Sequence, residues 1–177
     1  MNEHSENAQF ARLIVALEPW LTQVVIIGGW AHRLYRLHPS AQHIEYLPLT
    51  TLDTDIAVPA RLKVIDTDVR EGLIANGFEE ERLGQDQPPA TYYRLGDAKT
   101  GFYAEFLTPL FGAEQGRGGK TKATRRIAGI VSQQLRHLEI LLVAPWTVSL
   151  SRSNGFPFEH PKQAQIANPV SFLLIRY

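Results

Sequence analysis

The chain has 177 residues, 44% of them apolar, which is enough for one compact domain (1–177) with a hydrophobic core. Its 18 basic and 18 acidic residues balance, so the overall charge favours neither a nucleic-acid nor a membrane surface as partner. The absence of cysteine excludes disulfides and thiolate chemistry; with neither a membrane-length apolar run nor a signal peptide, we expect a soluble cytoplasmic protein with no membrane partner.

The N-terminal part of the chain predicts a helix, a strand, a glycine turn and a second helix. Asn7–Leu21 carries apolar residues at helical spacing, and Val24–Ile27 is a short apolar strand. Gly28–Gly29 follows this strand directly, and Trp30–Leu37 continues as a helix. Glycines at such a turn let backbone N–H groups approach an anion, and the start of a helix favours negative charge. The turn is therefore a candidate phosphate cradle.

A second strand, Thr51–Val58, follows the predicted loop His38–Thr50 and carries Asp53 and Asp55. Residues two apart on a strand project from the same face, roughly 6.5–7 Å apart. Two carboxylates placed in this way repel each other unless a cation lies between them. Mg²⁺ is commonly held by such carboxylates together with substrate phosphates. An acidic strand beside a phosphate cradle predicts phosphoryl or nucleotidyl transfer.

The rest of the chain predicts further strands and helices. We predict a helix over Asp66–Asn76 and strands over 78–83, 91–95, 101–109, 137–144 and 146–150. Asp66 and Asp68 repeat the Asp-x-Asp spacing, but their place at a helix start favours capping. Asn168–Pro169 predicts the start of a last helix. The chain stops roughly two turns later, so we expect a short or truncated C-terminal helical region. The pattern indicates an α/β (α+β) fold, a mixed sheet flanked by helices.

Basic residues offer further contacts to phosphate. Arg33 could reach a triphosphate, although a basic residue on an amphipathic helix commonly points into solvent. The glycine-rich segment Phe111–Arg126 contains GGKT, but Glu114 stands where a P-loop needs its first glycine. This segment could still bind triphosphate or RNA, and a solvated loop fits the pattern equally well. Its candidate donors are Lys120, Lys122, Arg125 and Arg126.

Together these motifs resemble the DNA polymerase β-type nucleotidyltransferase superfamily. GGWAHRLYR followed by TTLDTDIAV is most similar to the AbiEii-like, MenT-like group of stand-alone nucleotidyltransferases. Gly28, Gly29, Asp53 and Asp55 stand at the matching positions, and the likeness covers roughly the first two-thirds of the chain. Two departures are visible. The interval before Asp53 is longer than the common spacing, which implies an inserted loop, and Gly29 replaces the commoner serine, which removes one hydroxyl contact to phosphate.

The resemblance implies a fold and a reaction. It implies a nucleotidyltransferase fold and Mg²⁺- or Mn²⁺-dependent transfer of a nucleoside monophosphate from an NTP to an acceptor hydroxyl. It also implies a third carboxylate on a nearby strand, a role that falls to Glu105, although an open-face glutamate on an edge strand fits the pattern too. The expected catalytic and metal-binding residues are Asp53, Asp55 and Glu105, and the expected nucleotide contacts are Gly28, Gly29, Arg33 and Lys120.

The acceptor stays open at this point. Relatives of this kind act as toxins of toxin–antitoxin pairs, some with tRNA as acceptor, and others modify proteins or small molecules. The resemblance therefore implies RNA, tRNA, a protein or a small molecule as acceptor, and an antitoxin as a partner. A non-catalytic module that binds a nucleotide or a partner protein is the main alternative. A metal-dependent phosphohydrolase using the same carboxylates is disfavoured, because no His-Asp pair accompanies them.

Overall fold

A computed structural model of the chain describes residues 3–42, 45, 51–63, 66–84, 88–97, 101–112 and 123–174. Within these ranges, nine strands form one sheet that is flanked by four α-helices. The helices are α1 (Glu3–Ala16), α2 (Gly28–Leu34), α3 (Val69–Ala75) and α4 (Pro169–Leu174). The strands are β1 (Val25–Ile27), β2 (Asp53–Ala57), β3 (Glu79–Leu83), β4 (Ala90–Leu95), β5 (Phe102–Pro109), β6 (Thr124–Ile127), β7 (Ile130–Leu135), β8 (Trp146–Leu150) and β9 (Lys162–Ile166). The prediction of a mixed sheet flanked by helices is confirmed.

The order of the strands brings together segments that are far apart in the chain. β2 lies in the middle of the sheet, antiparallel to β1 and parallel to β5. The sheet continues from β1 to β9 and β8, and from β5 to β4 and β3. β7 pairs with the end of β5 and forms a hairpin with β6. The acidic strand β2 therefore lies directly beside β5.

Two apolar clusters cover the two faces of the sheet to different extents. The larger cluster lies on the face that carries Ile56 and Phe102, and it includes residues of α1, α2 and α3. Stacking of Phe10 on Trp30, with ring centroids 3.9 Å apart, joins α1 to α2 in this cluster. The smaller cluster, on the opposite face, contains Val25, Ile27, Ala57, Leu107, Leu138, Leu141 and Ala167. The second face is thus apolar only along part of its length.

Within the second Asp-x-Asp motif, Asp68 caps a helix, so the capping role predicted from the motif's position is confirmed for this residue. The Asp68 carboxylate accepts a hydrogen bond from the Glu71 N–H at 2.8 Å, and the Glu71 carboxylate accepts one from the Asp68 N–H at 3.1 Å. This reciprocal pair is a capping box at the start of α3. The helix begins at Val69, three residues later than the predicted start at Asp66.

The strand predicted over 137–144 is wrong. A 3₁₀ helix, Leu138–Leu142, occupies this segment, and it begins after His137, whose φ of 63° is left-handed. Leu138 and Leu141 are three residues apart, so a 3₁₀ helix points both toward the smaller apolar cluster. An apolar run of this length does not by itself distinguish a strand from a short helix.

Three strands lie outside the predicted strands: β6 begins within the segment predicted as a glycine-rich loop, and most of β7 and β9 lies in segments for which the sequence predicts no element. β6 and β7 form a hairpin around Ala128 and Gly129, whose φ values are 46° and 81°. Such a turn needs positive φ at both central residues, and Ala is an unusual choice for the first. β9 carries only Ala164 and Ile166 as buried apolar residues, which is a weak alternation. The turn and strand patterns in these segments are too weak for the sequence to predict the three strands.

Among the described residues, no helix combines the length and apolar character required to cross a membrane.

Candidate active site

Three carboxylates share one face of the central strands. Thr54 and Ile56 of β2 are fully buried on the other face, whereas Asp53 and Asp55 are partly exposed. In the parallel pairing of β2 with β5, Asp53 lies opposite Tyr103 and Asp55 lies opposite Glu105. The alternation of side chains along both strands therefore places Asp53, Asp55 and Glu105 on one face. The spacing predicts this for the two aspartates, and the family resemblance predicts it for Glu105.

The glycine turn lies against Asp55. Ile27, the last residue of β1, pairs with Asp55 across the sheet, and Gly28 follows with a φ of 65°. A Cβ atom at Gly28 would lie 3.4 Å from the Cγ of Asp55 and would clash with its Oδ2. A side chain at this position would thus be strained in its backbone and would displace the carboxylate. The two motifs, although distant in the chain, form one site.

The second glycine has a separate steric cause. A Cβ atom at Gly29 would lie 3.2 Å from the Cβ of Thr51 and would overlap its Cγ2 methyl group. The Thr51 hydroxyl donates a long hydrogen bond, 3.4 Å, to the backbone carbonyl of Asp53. Thr51 therefore occupies the space that a serine side chain would need, which accounts for glycine at this position. α2 begins at Gly28 itself, two residues before the predicted start.

Burial and mutual repulsion raise the proton affinity of Asp55 and Glu105. Burial, followed by the charges of Asp53 and Glu105, raises the pKa of Asp55 to about 6. Burial and the charge of Asp53 also raise the pKa of Glu105. The pKa of the Tyr103 hydroxyl rises because of burial and because all three carboxylates are near it. The site concentrates negative charge where water screens it poorly, and a cation would relieve this repulsion.

These carboxylates do not form a closed set of metal ligands. In the part of the chain that the structure describes, no three His, Asp or Glu side chains converge as a metal site. Mg²⁺, however, is normally held by one or two carboxylates, with substrate phosphates and water completing its coordination. Oxygen donors that repel one another beside a glycine bend fit this mode of binding. The residues present are therefore suited to a metal that arrives with a phosphorylated substrate.

Arg33 has a different environment from the one expected. Its guanidinium is buried, where it donates to the Glu6 carboxylate at 2.6 Å and to the Asn7 side-chain oxygen at 2.8 Å. It also lies over the Trp30 ring, 4.6 Å from the centroid. These contacts tie α2 to α1, so Arg33 has a role in packing, and its contact with nucleotide stays a prediction.

The basic candidates divide between the described residues and those outside them. Lys120 and Lys122 lie outside the described residues. Arg125 and Arg126 are exposed on β6, which pairs with β7. Sequence reasoning missed Tyr103, although the alternation of β5 places it on the same face as Glu105.

An apolar cleft beside the glycine bend was also missed. It lies between α2 and α4, has a volume of about 310 Å³, and includes Gly28, Tyr35 and Phe172 in its lining. No sequence pattern reports it, because it depends on the packing of the two ends of the chain against each other.

Comparison with known protein families identifies one match. A family model described as nucleotidyltransferase matches residues 5–177, which is nearly the whole chain. Searches of curated proteins and of solved structures found no match.

Proposed function

The chain belongs to the nucleotidyltransferase family, and from this premise we propose that it transfers a nucleoside monophosphate from an NTP to an acceptor hydroxyl. The observation that supports this reaction is the contact between the two motifs. Asp53 and Asp55 share one face of β2, and the carboxylate of Asp55 abuts the Gly28 backbone. A polyphosphate held at the glycine bend would therefore lie next to the acidic groups.

Asp53, Asp55 and Glu105 are the residues that would hold Mg²⁺ or Mn²⁺, which when bound neutralises phosphate charge and favours ionisation of the acceptor hydroxyl. The backbone N–H groups of Gly28 and Gly29 would orient the triphosphate. Most of the rate enhancement in this scheme comes from positioning and charge neutralisation.

The bond changes are those of a displacement at the α-phosphorus. The acceptor oxygen forms a bond to the α-phosphorus, the bond from this phosphorus to the α–β bridging oxygen breaks, and pyrophosphate leaves. The hydroxyl proton passes to a nearby carboxylate. We assign this role to Glu105, because it lies opposite Asp55 on the same face of the sheet as the two aspartates.

For the acceptor we propose a hydroxyl group of an RNA, and tRNA is the first RNA to test. The protein would then be a toxin of the AbiEii-like, MenT-like kind, and its partner would be an antitoxin. Exposed Arg125 and Arg126 on β6 support an RNA acceptor, because guanidinium groups bind phosphate well. Proteins and small molecules are the other acceptors to include.

The test follows the label of a nucleotide. The protein is incubated with Mg²⁺, total RNA and each NTP labelled at the α- or the γ-phosphate. We expect the α-label in RNA and the γ-label in pyrophosphate, with both signals lost in Asp53→Asn. Glu79→Gln, which changes an exposed carboxylate on β3, is the matched control and should behave like wild type.

A non-catalytic nucleotide-binding module on the same fold is the second candidate. It is favoured by one observation, the lack of a converged three-ligand metal site among the described residues. Nucleotide binding without incorporation of label into RNA, protein or small molecules would support it. Release of γ-label as inorganic phosphate would instead indicate a phosphohydrolase.

A further inference from the structure

The cleft between α2 and α4 meets the candidate active site at a single residue. Its walls include Ala31, His32 and Tyr35 from the α2 side and Ala167, Phe172 and Leu173 from the α4 side. Gly28 also lines it, and Gly28 is the residue whose backbone abuts the carboxylate of Asp55. Gly28 therefore separates a ligand in the cleft from the face of the sheet that carries Asp53, Asp55 and Glu105.

We propose that this cleft binds the base and ribose of the NTP, with the triphosphate passing over Gly28 toward Asp53 and Asp55. The inference rests on the proposed function, because it assumes that the phosphates bind at the carboxylates. An NTP joins a flat, weakly polar base to a strongly anionic chain through one ribose. It needs an apolar pocket immediately beside an anion- or metal-binding site, and the fold provides these two features on either side of Gly28.

The size and lining of the cleft suit a nucleoside. A volume of about 310 Å³ is at the lower end of the range of small-molecule pockets, which is roughly 300–1,000 Å³. The lining is mainly apolar and aromatic, and its polar side-chain groups are the His32 imidazole and the Tyr35 hydroxyl. All four bases can stack on an aromatic ring, and an imidazole can add a hydrogen bond to a base edge or a ribose hydroxyl.

The aromatic wall of the cleft is held in place before any ligand binds. The Tyr35 ring stacks on Trp146, with centroids 5.3 Å apart and planes at 19°. Trp146 in turn stacks on His38 at 3.9 Å. A ring fixed by such a stack loses little conformational freedom when a base packs on it, so less binding energy is spent on ordering.

The experiment measures binding and does not depend on turnover. The α,β-methylene analogues of ATP, GTP, CTP and UTP, and inorganic tripolyphosphate, are titrated in Mg²⁺ into wild type, Tyr35→Ala, Phe172→Ala and Leu173→Trp. Leu173 is exposed, so its replacement by Trp narrows the cleft without removing a core side chain. Leu174→Ala, a change of another exposed α4 residue, is the matched control. Tyr35→Phe keeps the ring and tests whether the ring, and not the hydroxyl, supports binding.

We expect the Kd of the nucleotide analogues to rise about ten-fold in Tyr35→Ala and Phe172→Ala, which each lose one base–aromatic contact. We expect a rise in Leu173→Trp as well, because the larger side chain narrows the cleft. The Kd of tripolyphosphate should not change in any variant, Leu174→Ala should bind like wild type, and Tyr35→Phe should bind the nucleotide analogues more tightly than Tyr35→Ala. An unchanged Kd for all four nucleotide analogues in the cleft variants would overturn the inference while leaving the proposed function intact. An unchanged nucleotide Kd with a raised KM for the acceptor would assign the cleft to the acceptor and overturn it too. Failure of wild type to bind either nucleotide or tripolyphosphate would instead refute the proposed function.

Discussion

The two faces of the central strands show how one stretch of backbone serves stability on one side and chemistry on the other. On the covered face, Thr54 and Ile56 of β2 and Phe102 of β5 are buried beneath α1, α2 and α3. On the other face, the same strands present Asp53, Asp55 and Glu105 beside the glycine bend. The comparison suggests that substitutions on the covered face should change folding, whereas those on the acidic face should change the reaction.

The largest expected effect lies on the acidic face. Asp53→Asn and Asp55→Asn should each lower kcat/KM on the order of 10⁴-fold, since each removes a charge from the site of metal and phosphate binding. The measurement is steady-state transfer of α-labelled nucleotide. Thr54→Val is the control from the opposite face, between the two aspartates. Its hydroxyl is buried with no hydrogen-bond partner among the described residues, so activity should be unchanged and stability equal or slightly higher. Full activity in either Asp→Asn variant would contradict the assignment.

The next largest effect is a loss of stability when Arg33, on the covered side of the sheet, is replaced. Arg33→Met should lower the free energy of unfolding by about 3–5 kcal/mol, because it leaves the buried carboxylate of Glu6 without its charge partner. Denaturant unfolding measures this change. The double variant Glu6→Leu/Arg33→Met should recover most of the loss, as it removes both charges. If this stable double variant bound NTP much more weakly than wild type, Arg33 would have a role at the site after all.

A smaller effect is expected at the glycine bend that joins the two motifs. Gly28→Ala should cost about 1–3 kcal/mol of stability, because its φ of 65° is unfavourable for alanine. It should also reduce transfer, since the methyl group would displace the Asp55 carboxylate. The three atoms nearest to a methyl group at Gly29 all belong to the Thr51 side chain, and the closest is its Cγ2. Adding Thr51→Ser to Gly29→Ala, which removes this Cγ2, should therefore recover stability. Thermal unfolding and transfer assays measure both variants. If Gly28→Ala and Gly29→Ala had the same Tm and the same activity, the description of the glycine bend would be contradicted.

The smallest effect is the loss of stability that ionised Asp55 causes, which depends on pH. Its pKa rises from 3.8 in the unfolded chain to about 6 in the folded protein, so between these pH values the folded state binds more protons. Stability therefore falls as the pH rises through this window, and the cost is complete above pH 6. Asp55→Asn should be more stable than wild type at pH 7.5 by about 1 kcal/mol, a value reduced for solvent screening, or roughly 2–4 °C in Tm.

The advantage of Asp55→Asn should shrink toward pH 4, where the wild-type carboxyl is protonated. A Tm difference that is constant from pH 4 to 8, or that favours wild type at pH 7.5, would contradict the raised pKa. The same titration predicts that kcat/KM, which reports the free enzyme, declines as the pH falls through about 6, because the proton then competes with the cation for Asp55.

Local periodicity was sufficient to predict the acidic face. The two-residue spacing in β2 and β5 assigns each carboxylate to a face without knowledge of the neighbouring strand, and the glycine turn follows directly from the end of β1. The parallel pairing that brings Glu105 beside Asp55 is a long-range contact, and it was expected only through the family resemblance. Arg33 illustrates the limit of local reasoning, because its helix pattern contains no information about Glu6 on α1. The cleft between α2 and α4 was not predicted for the same reason, because it depends on packing between segments that are distant in the chain.

Metal binding in the presence of nucleotide is the most direct test of the central claim that Asp53 and Asp55 form one site with the glycine bend. Mn²⁺ is titrated at pH 7.5 with an α,β-methylene NTP, and bound metal is measured by electron paramagnetic resonance. The account predicts saturable binding to wild type and to Glu79→Gln, with affinity at least roughly ten-fold weaker in Asp53→Asn and in Asp55→Asn. Equal Mn²⁺ affinity in all four proteins would contradict it.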